Sequence, residues 1–519
     1  MESKRGKVDY TLLEKRKIME KLESLRGRHL NFTELNAVVS QILEMGDQVF
    51  SVCFSKIREE DRELLPIVYH ILRHAKDPMT IKNIYKTLMD KNVSDEVKTR
   101  LLEVLIELGI DISELPLEEM IGDFEKMASD SMEKMLRDIE KDEFFISYVL
   151  EDIDTLSKDL QLTCIRDLGD SGDERAIPVL KALALSNDKE LVLEAVTQLG
   201  RIKSPKTIAA LTEIAEKAFL EEIKDEASKK IRKLKMQGIQ EIVLNQLQPC
   251  VYKGIVSSID GIGSRSLWFI WHHPYVKNKL CSLNILINIE EGVQDCWALP
   301  LLDSKDFNTA LKELSKETEV LEDFQYAVTL LKDALYTSIV THSQLPLSMG
   351  FWMGFFKGGD LVPQEYTPTL EYQMTIGGKD DQRLWETSDM LFETREFSDW
   401  FIAEPKVYEY AEEYLKIKKM YRQRKYCNRR LNKLYENFNR DIIKPKEDNI
   451  LRMLELAYDF LVRKSSMRKA RQVLTVINNF RKPCYQNPFL KRMIIESIHI
   501  ALQNIEKGYD LRFDPTIDR

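Results

Sequence analysis

Cysteine is sparse in this 519-residue chain: seven residues, odd in number and scattered. That excludes a disulfide framework and points to a reducing compartment, with the cytoplasm as the expected location. No run of 18 or more apolar residues occurs, so no membrane-spanning helix is expected. The opening, "MESKRGKVDYTLLEKRKIMEKL", is charged throughout and lacks the apolar stretch of a secretory signal. Phosphate-loop fingerprints are missing as well. The only glycine-rich candidate, "SSIDGIGSRSLWFIWHHP" at 257–274, has Gly261 and Gly263 but Ser266 where a dinucleotide fingerprint needs its third glycine. A strand-like run follows it instead of a helix. Asp-Gly between two strand-like runs signals a hairpin, in which Asp260 and Arg265 would flank the turn as a surface ion pair.

What the chain does have is charge, unevenly distributed. Residues 405–519 hold 26 Lys+Arg against 14 Asp+Glu, a net of +12, so an overall charge of -9 leaves -21 on residues 1–404. An acidic body with a basic tail fits either an anionic partner at one end or contact between the two parts. Acidity is densest at 111–159, with 16 Asp+Glu against five Lys+Arg. This is the solvated face of helices or a patch for a basic partner.

An internal repeat organises the middle of the first half. Leu168-Gly169 recurs as Leu199-Gly200, Ile177 as Ile208 and Leu180 as Leu211, all at one offset. Each unit reads as a helix ending at Leu-Gly, a polar turn, and a second helix carrying Ile-x-x-Leu. The glycine is expected to end the helix at positive φ. The Ile-x-x-Leu pair puts two aliphatic side chains on one face, which only a neighbouring unit can cover, so the units stack into a solenoid. These residues resemble the short HEAT-like repeats first recognised in phycobilin lyases: Leu168-Gly169, then Gly172-Asp173 in the turn, then Ala176-Ile177-Pro178. The second unit departs, with Lys203-Ser204 in its turn and Ala209 in place of the proline. A weaker copy ends at Leu108-Gly109, and "DEASKKIRKLK" after residue 225 looks like a fading last unit, so the resemblance extends loosely over residues 60–240. It implies an architecture suited to protein–protein contact. Deoxyhypusine hydroxylases share such repeats and bind iron through His-Glu pairs, but none of the seven histidines here precedes Glu. HEAT-like DNA glycosylases use a basic face, whereas this region is acidic.

After residue 240 the hydrophobic period changes. "CVYKGIVSSI", "SLWFIWHH" and "LCSLNILINI" read as three strands. The second is apolar on both faces and belongs in the middle. The third alternates Cys281, Leu283, Ile285, Ile287 and Ile289 with Ser282, Asn284 and Asn288, which predicts a sheet with one packed face. Two helices follow, the second with a stripe at Leu321, Phe324, Val328, Leu331, Leu335 and Ile339. From 405 the chain is helical again. Its last helix is signalled by Asn487 as N-cap, Pro488 at the first position and Gly508 past the end, with Leu490, Met493, Ile494, Ile498, Ala501 and Ile505 inward.

Several groups bear on chemistry. Cys250, His272, His273, Cys281 and Cys296 are zinc-capable but lack Cys-x2-Cys spacing, and adjacent strand histidines point to opposite faces. His70 and His74 are four apart on a helix without the glutamate of a zinc-protease motif. No metal or cofactor is expected. The segment 416–446 has twelve Lys+Arg against two Asp+Glu, including Lys416, Lys418, Lys419, Arg422, Arg424, Lys425, Arg429 and Arg430, interleaved with Tyr421, Tyr426 and Tyr435. Either it binds nucleic acid through cations and stacking rings, or it is an amphipathic helix with tyrosines packed inward. "LPLSMGFWMGFF" at 345–356 reads as a buried segment; exposed, it would dock a protein through Phe351, Trp352 and Phe355.

The expected fold is mainly α and multidomain: a HEAT-like α-solenoid at 1–240, a small α+β domain with an antiparallel sheet at 241–404, and a basic helical domain at 405–519. The expected role is a non-enzymatic scaffold or adaptor for a protein partner. Two alternatives stay open: nucleic-acid binding through 416–446, and an enzyme or ligand site within 241–404, whose polar residues to test are Asp260, Arg265 and His272.

Overall fold

The structure, a computed structural model, describes residues 11–26, 32–46, 48–61, 63–74, 78–110, 112, 115–242, 249–356, 361–369, 379–420 and 424–513. The chain is mainly helical, with a five-stranded antiparallel sheet between Val251 and Glu322. It forms two compact units, Met1–Arg137 and Asp138–Arg519.

The first unit is built from helices whose apolar stripes meet in one core that includes Ile57, Val68, Leu101 and Leu105. The helix Asp95–Glu107 buries Val97, Leu101, Leu102, Val104 and Leu105, and Gly109 follows it at φ +77°. Here the Leu-Gly signal does mark a left-handed helix end.

In the second unit the repeat is formed by Lys158–Asp170, Ile177–Leu183, Lys189–Leu199, Pro205–Lys217 and Glu221–Met236. Ile177, Leu180, Ile208 and Leu211 are all buried, as the repeat requires. The glycines work differently from the expectation. Gly169 lies inside its helix, and Gly200 caps the next with φ -63°. Neither takes positive φ; in this turn that falls to Gly172. Their role is close approach instead. A Cβ on Gly169 would overlap the side chain of Gln198 in the following unit, and one on Gly200 would press against Lys230 two helices further on. Charged pairs run in the same direction: Arg201 to Asp170, Arg166 to Glu194, and Lys181 to Glu213.

The sheet has the order β4-β3-β2-β1-β5, with β1 Val251–Ser257, β2 Ser264–His272, β3 Leu280–Asn288, β4 Gly292–Leu302 and β5 Val320–Glu322. β2 is the middle strand, as its two apolar faces predict. β4 and β5 were not anticipated, because Pro300 and the charged flanks mask their alternation. Leu321 accordingly belongs to β5, and the stripe from Phe324 to Ile339 to the helix Phe324–Thr341. The one-packed-face expectation for β3 is corrected: Ser282 and Asn284 are buried too. On one face Phe269 and Trp271 pack against Phe324 and Phe356; on the other, Phe307 of the helix Ser304–Glu317 joins Ile255, Ile270 and Leu280.

The stretch between β1 and β2 turns a corner. The Asp260 carboxylate accepts from the backbone N–H groups of Ile262 and Ser264 at 3.0 and 2.8 Å, and Gly263 sits at φ +83°. The N–H of Gly261 donates to Asp399 at 3.2 Å, so this donor is committed within the protein. C-terminal helices complete the unit. The last, Pro488–Glu506, is capped by Asn487, buries Leu490, Met493, Ile494, Ile498 and Ala501, and is followed by Gly508 at φ +82°. Ile505 is half-buried.

The two repeat glycines separate on substitution. Gly169→Ala is expected to destabilise the second unit by about 1–3 kcal/mol, because the overlap includes the Cβ of Gln198. Gly200→Ala meets only the flexible stem of Lys230 and should be nearly neutral. Equal losses in urea denaturation would contradict this assignment.

Candidate protein-interaction groove

A concavity of about 640 Å³ in the second unit opens along two helices of the repeat, Ile177–Leu183 and Pro205–Lys217. That volume is in the range of sites that enclose ligands. Its floor is aromatic. Phe144 lies 6.0 Å from Phe351 and 5.7 Å from Phe355, ring centre to ring centre. Beneath them Trp352 stacks on Trp271 at 6.2 Å and donates its indole N–H to Ser147 at 3.2 Å. Phe351 and Phe355 are half-buried, Trp352 fully buried. The run 345–356 thus divides: Trp352 anchors it to the body, and the two phenylalanines line the groove. Its two glycines divide likewise. A Cβ at Gly350 would overlap the backbone of Ala182, whereas Gly354 has open space beside it.

The walls are charged. Lys181 and Lys217 converge on the buried carboxylate of Glu213 at 3.0 and 2.8 Å. Burial alone would push this carboxyl up, but the two ammonium groups outweigh it and hold the acid below its ordinary range. Lys206 pairs with Glu174 at 3.3 Å, and Arg175 forks onto Asp173 with Glu140 3.9 Å away. Lys235 holds Glu241 at 2.6 Å. Two exposed rim carboxylates differ. Glu143 accepts from the Tyr275 hydroxyl at 2.7 Å, and neither it nor Glu216 has an ion-pair partner among the described residues. Burial first, then the Glu143 carboxylate, pushes the Tyr275 phenol up to about 12, so it stays a donor.

The other sequence-predicted residues lie elsewhere. Arg265 is buried, not a surface partner of Asp260, and its guanidinium reaches the Tyr326 hydroxyl at 3.5 Å. His272 is exposed, seven residues along β2 and therefore on the opposite face, beside the ring of Tyr252. Asp260, Arg265 and His272 are not brought together. No cluster of three or more metal-ligating side chains occurs among the described residues. Lys416, Lys418, Lys419, Lys425, Arg429 and Arg430 are exposed, as is Tyr426, while Tyr435 is buried. Arg424 opens the helix Arg424–Phe438; Arg422 and Tyr421 lie outside the described residues.

A family model described as HEAT repeats matches residues 148–231. This segment is HEAT-like. The match takes in both helical walls of the groove and stops short of Glu143, Phe144, Tyr275 and the aromatic run. No curated protein matches the chain. Sequence reading missed Phe144, Glu143, Tyr275 and Glu216 as one constellation. The signals were present separately, in the acidity of 111–159 and in the small residues of the aromatic run.

The HEAT-like segment's inner ion pair yields a pH-dependent expectation. A depressed carboxyl contributes stability above its unfolded pKa and loses that contribution as pH falls through the folded one. Glu213→Gln should therefore cost about 1–3 kcal/mol at pH 7. The gap from wild type should close progressively below about pH 4, followed by thermal denaturation across pH. A gap that stays constant to low pH would contradict the pairing.

Proposed function

We propose that this chain is a non-enzymatic scaffold or adaptor, and that its HEAT-like segment holds a protein partner in the groove over Phe351 and Phe355. HEAT repeats are generally protein-interaction scaffolds, because stacked helix pairs offer a long surface without an enclosed site. The observation that carries the reading is the pair of half-buried phenylalanine rings left uncovered between repeat helices. Aromatic rings in a shallow concavity gain most from a partner that excludes water from them. In this reading the chain divides at 1–240, 241–404 and 405–519, with the repeat helices Ile177–Leu183 and Pro205–Lys217 presenting the partner surface and 405–519 a separate basic surface. The protein works in a reducing cytoplasm, where its seven cysteines remain thiols.

A second reading has its own support. Lys418, Lys419, Lys425 and Arg429 are exposed, with no carboxylate in ion-pair distance among the described residues, and Tyr426 is exposed beside them. That is a surface able to neutralise phosphates and stack a base.

One experiment separates the two. A photo-crosslinking amino acid replaces Thr212 in the groove, the full chain is irradiated in its own host, and adducts are identified with and without nuclease. The scaffold reading expects a discrete protein adduct that survives nuclease and disappears when Gly354→Trp fills the groove. Adducts that persist unchanged in Gly354→Trp would contradict it. Nuclease-sensitive co-purification lost on neutralising Lys418, Lys419, Lys425 and Arg429 would transfer the function to the basic surface.

A further inference from the structure

The charges around the groove select among protein partners. The lining holds six carboxylates, Glu140, Glu143, Glu174, Glu213, Glu216 and Glu241, against three cations, Arg175, Lys181 and Lys206. Each of those cations already faces a carboxylate: Asp173 for Arg175, Glu213 for Lys181, Glu174 for Lys206. An anionic ligand would have to break one of these pairs. The excess is negative, and it is concentrated where a ligand would arrive, on the exposed Glu143 and Glu216. Between the acids lie the faces of Phe351 and Phe355 and the open space beside Gly354, room for one apolar side chain.

We infer that the groove takes a cationic peptide segment carrying one aromatic or aliphatic anchor, the anchor seated on Phe351 and Phe355 and its flanking lysines or arginines on Glu143 and Glu216. This rests on the scaffold reading above and specifies its partner's chemistry. Glu143 is suited to the task. Its carboxylate is oriented by the Tyr275 hydroxyl, so less side-chain freedom is lost when a cation arrives. Lys181 and Lys217, both half-buried, share the buried Glu213 in a set of net charge +1, which leaves the excess around the groove negative.

The test uses the full chain and a short fluorescein-labelled peptide of lysine, serine and glycine around a central phenylalanine, read by fluorescence anisotropy. Saturable binding is expected. It should weaken roughly 10-fold when glutamate replaces the lysines or serine replaces the phenylalanine. Glu143→Gln combined with Glu216→Gln should weaken it several-fold, on the order of 5-fold, an effect that shrinks as salt rises. Gly354→Trp should abolish it, while Glu313→Gln, an exposed acid on another helix, should leave it unchanged. The glutamine pair keeps the test valid if the tryptophan variant folds poorly. Equal binding of the glutamate peptide, or indifference to both groove variants, overturns the inference. If the lysine peptide does not bind yet the Thr212 crosslink still captures a host protein, the partner chemistry is wrong and the scaffold stands. Self-association in sedimentation velocity, lost in Gly354→Trp, would make the occupant a second copy and likewise overturn the proposal.

Discussion

At Gly350 the aromatic run passes so close to the helix Ile177–Leu183 that a Cβ there would overlap the backbone of Ala182. Much of the second unit depends on this approach. It brings Trp352 under Phe144 and within reach of Ser147, and Trp352 in turn stacks on Trp271 of the central strand. Hydrogen bonds on either side fix the same seam: the N–H of Leu347 donates to Asp154, and the Asn187 side chain bridges Ser343 and Leu345. A repeat segment and a sheet that share no sequence pattern are thereby packed into one unit. The consecutive helical turns Met349–Trp352 and Met353–Phe355 bury Trp352 in this seam and leave Phe351 and Phe355 half covered on the floor of the groove.

Two kinds of electrostatic arrangement coexist along that groove. Inside, Glu213 is flanked by two lysines whose attraction outweighs its burial, an arrangement that is costly to break. At the rim, Glu143 and Glu216 remain open to solvent. Exposed charges in high dielectric add little to stability, and in the proposed role these two act on what approaches them. The buried Arg265 shows a different use of charge. It is placed against Tyr326, whose phenol burial holds well above its ordinary range, within the packing of β2 on the helix Phe324–Thr341.

The repeat was legible in the sequence because its signal is an offset between identical residues, which needs no knowledge of neighbours. The purpose of its glycines was not legible. Positive φ and close approach demand the same residue, and only the position of Gln198 and Lys230 separates them. The middle strand and the last helix were legible for similar reasons: β2 is apolar on both faces, and Asn487-Pro488 with Gly508 marks both helix ends. β4 and β5 were not, since a proline-bearing edge strand and a three-residue strand carry almost no periodicity. For the groove, the aromatic run and the acidic stretch were each visible. Their meeting depends on residues about 200 positions apart, a distance that local pattern cannot bridge. Arg265 was misplaced because turn-flanking arginines usually face water, and the covering helix could not be assigned to that face from sequence.

The central claim is that the surface over Phe351 and Phe355 is where this protein meets a partner. Hydrogen exchange on the full chain, alone and in a complex purified from its host, tests this most directly. The account predicts slowed exchange confined mainly to 140–146, 206–216 and 351–356 when the partner is bound. Protection absent there and centred on Arg424–Phe438 would contradict it.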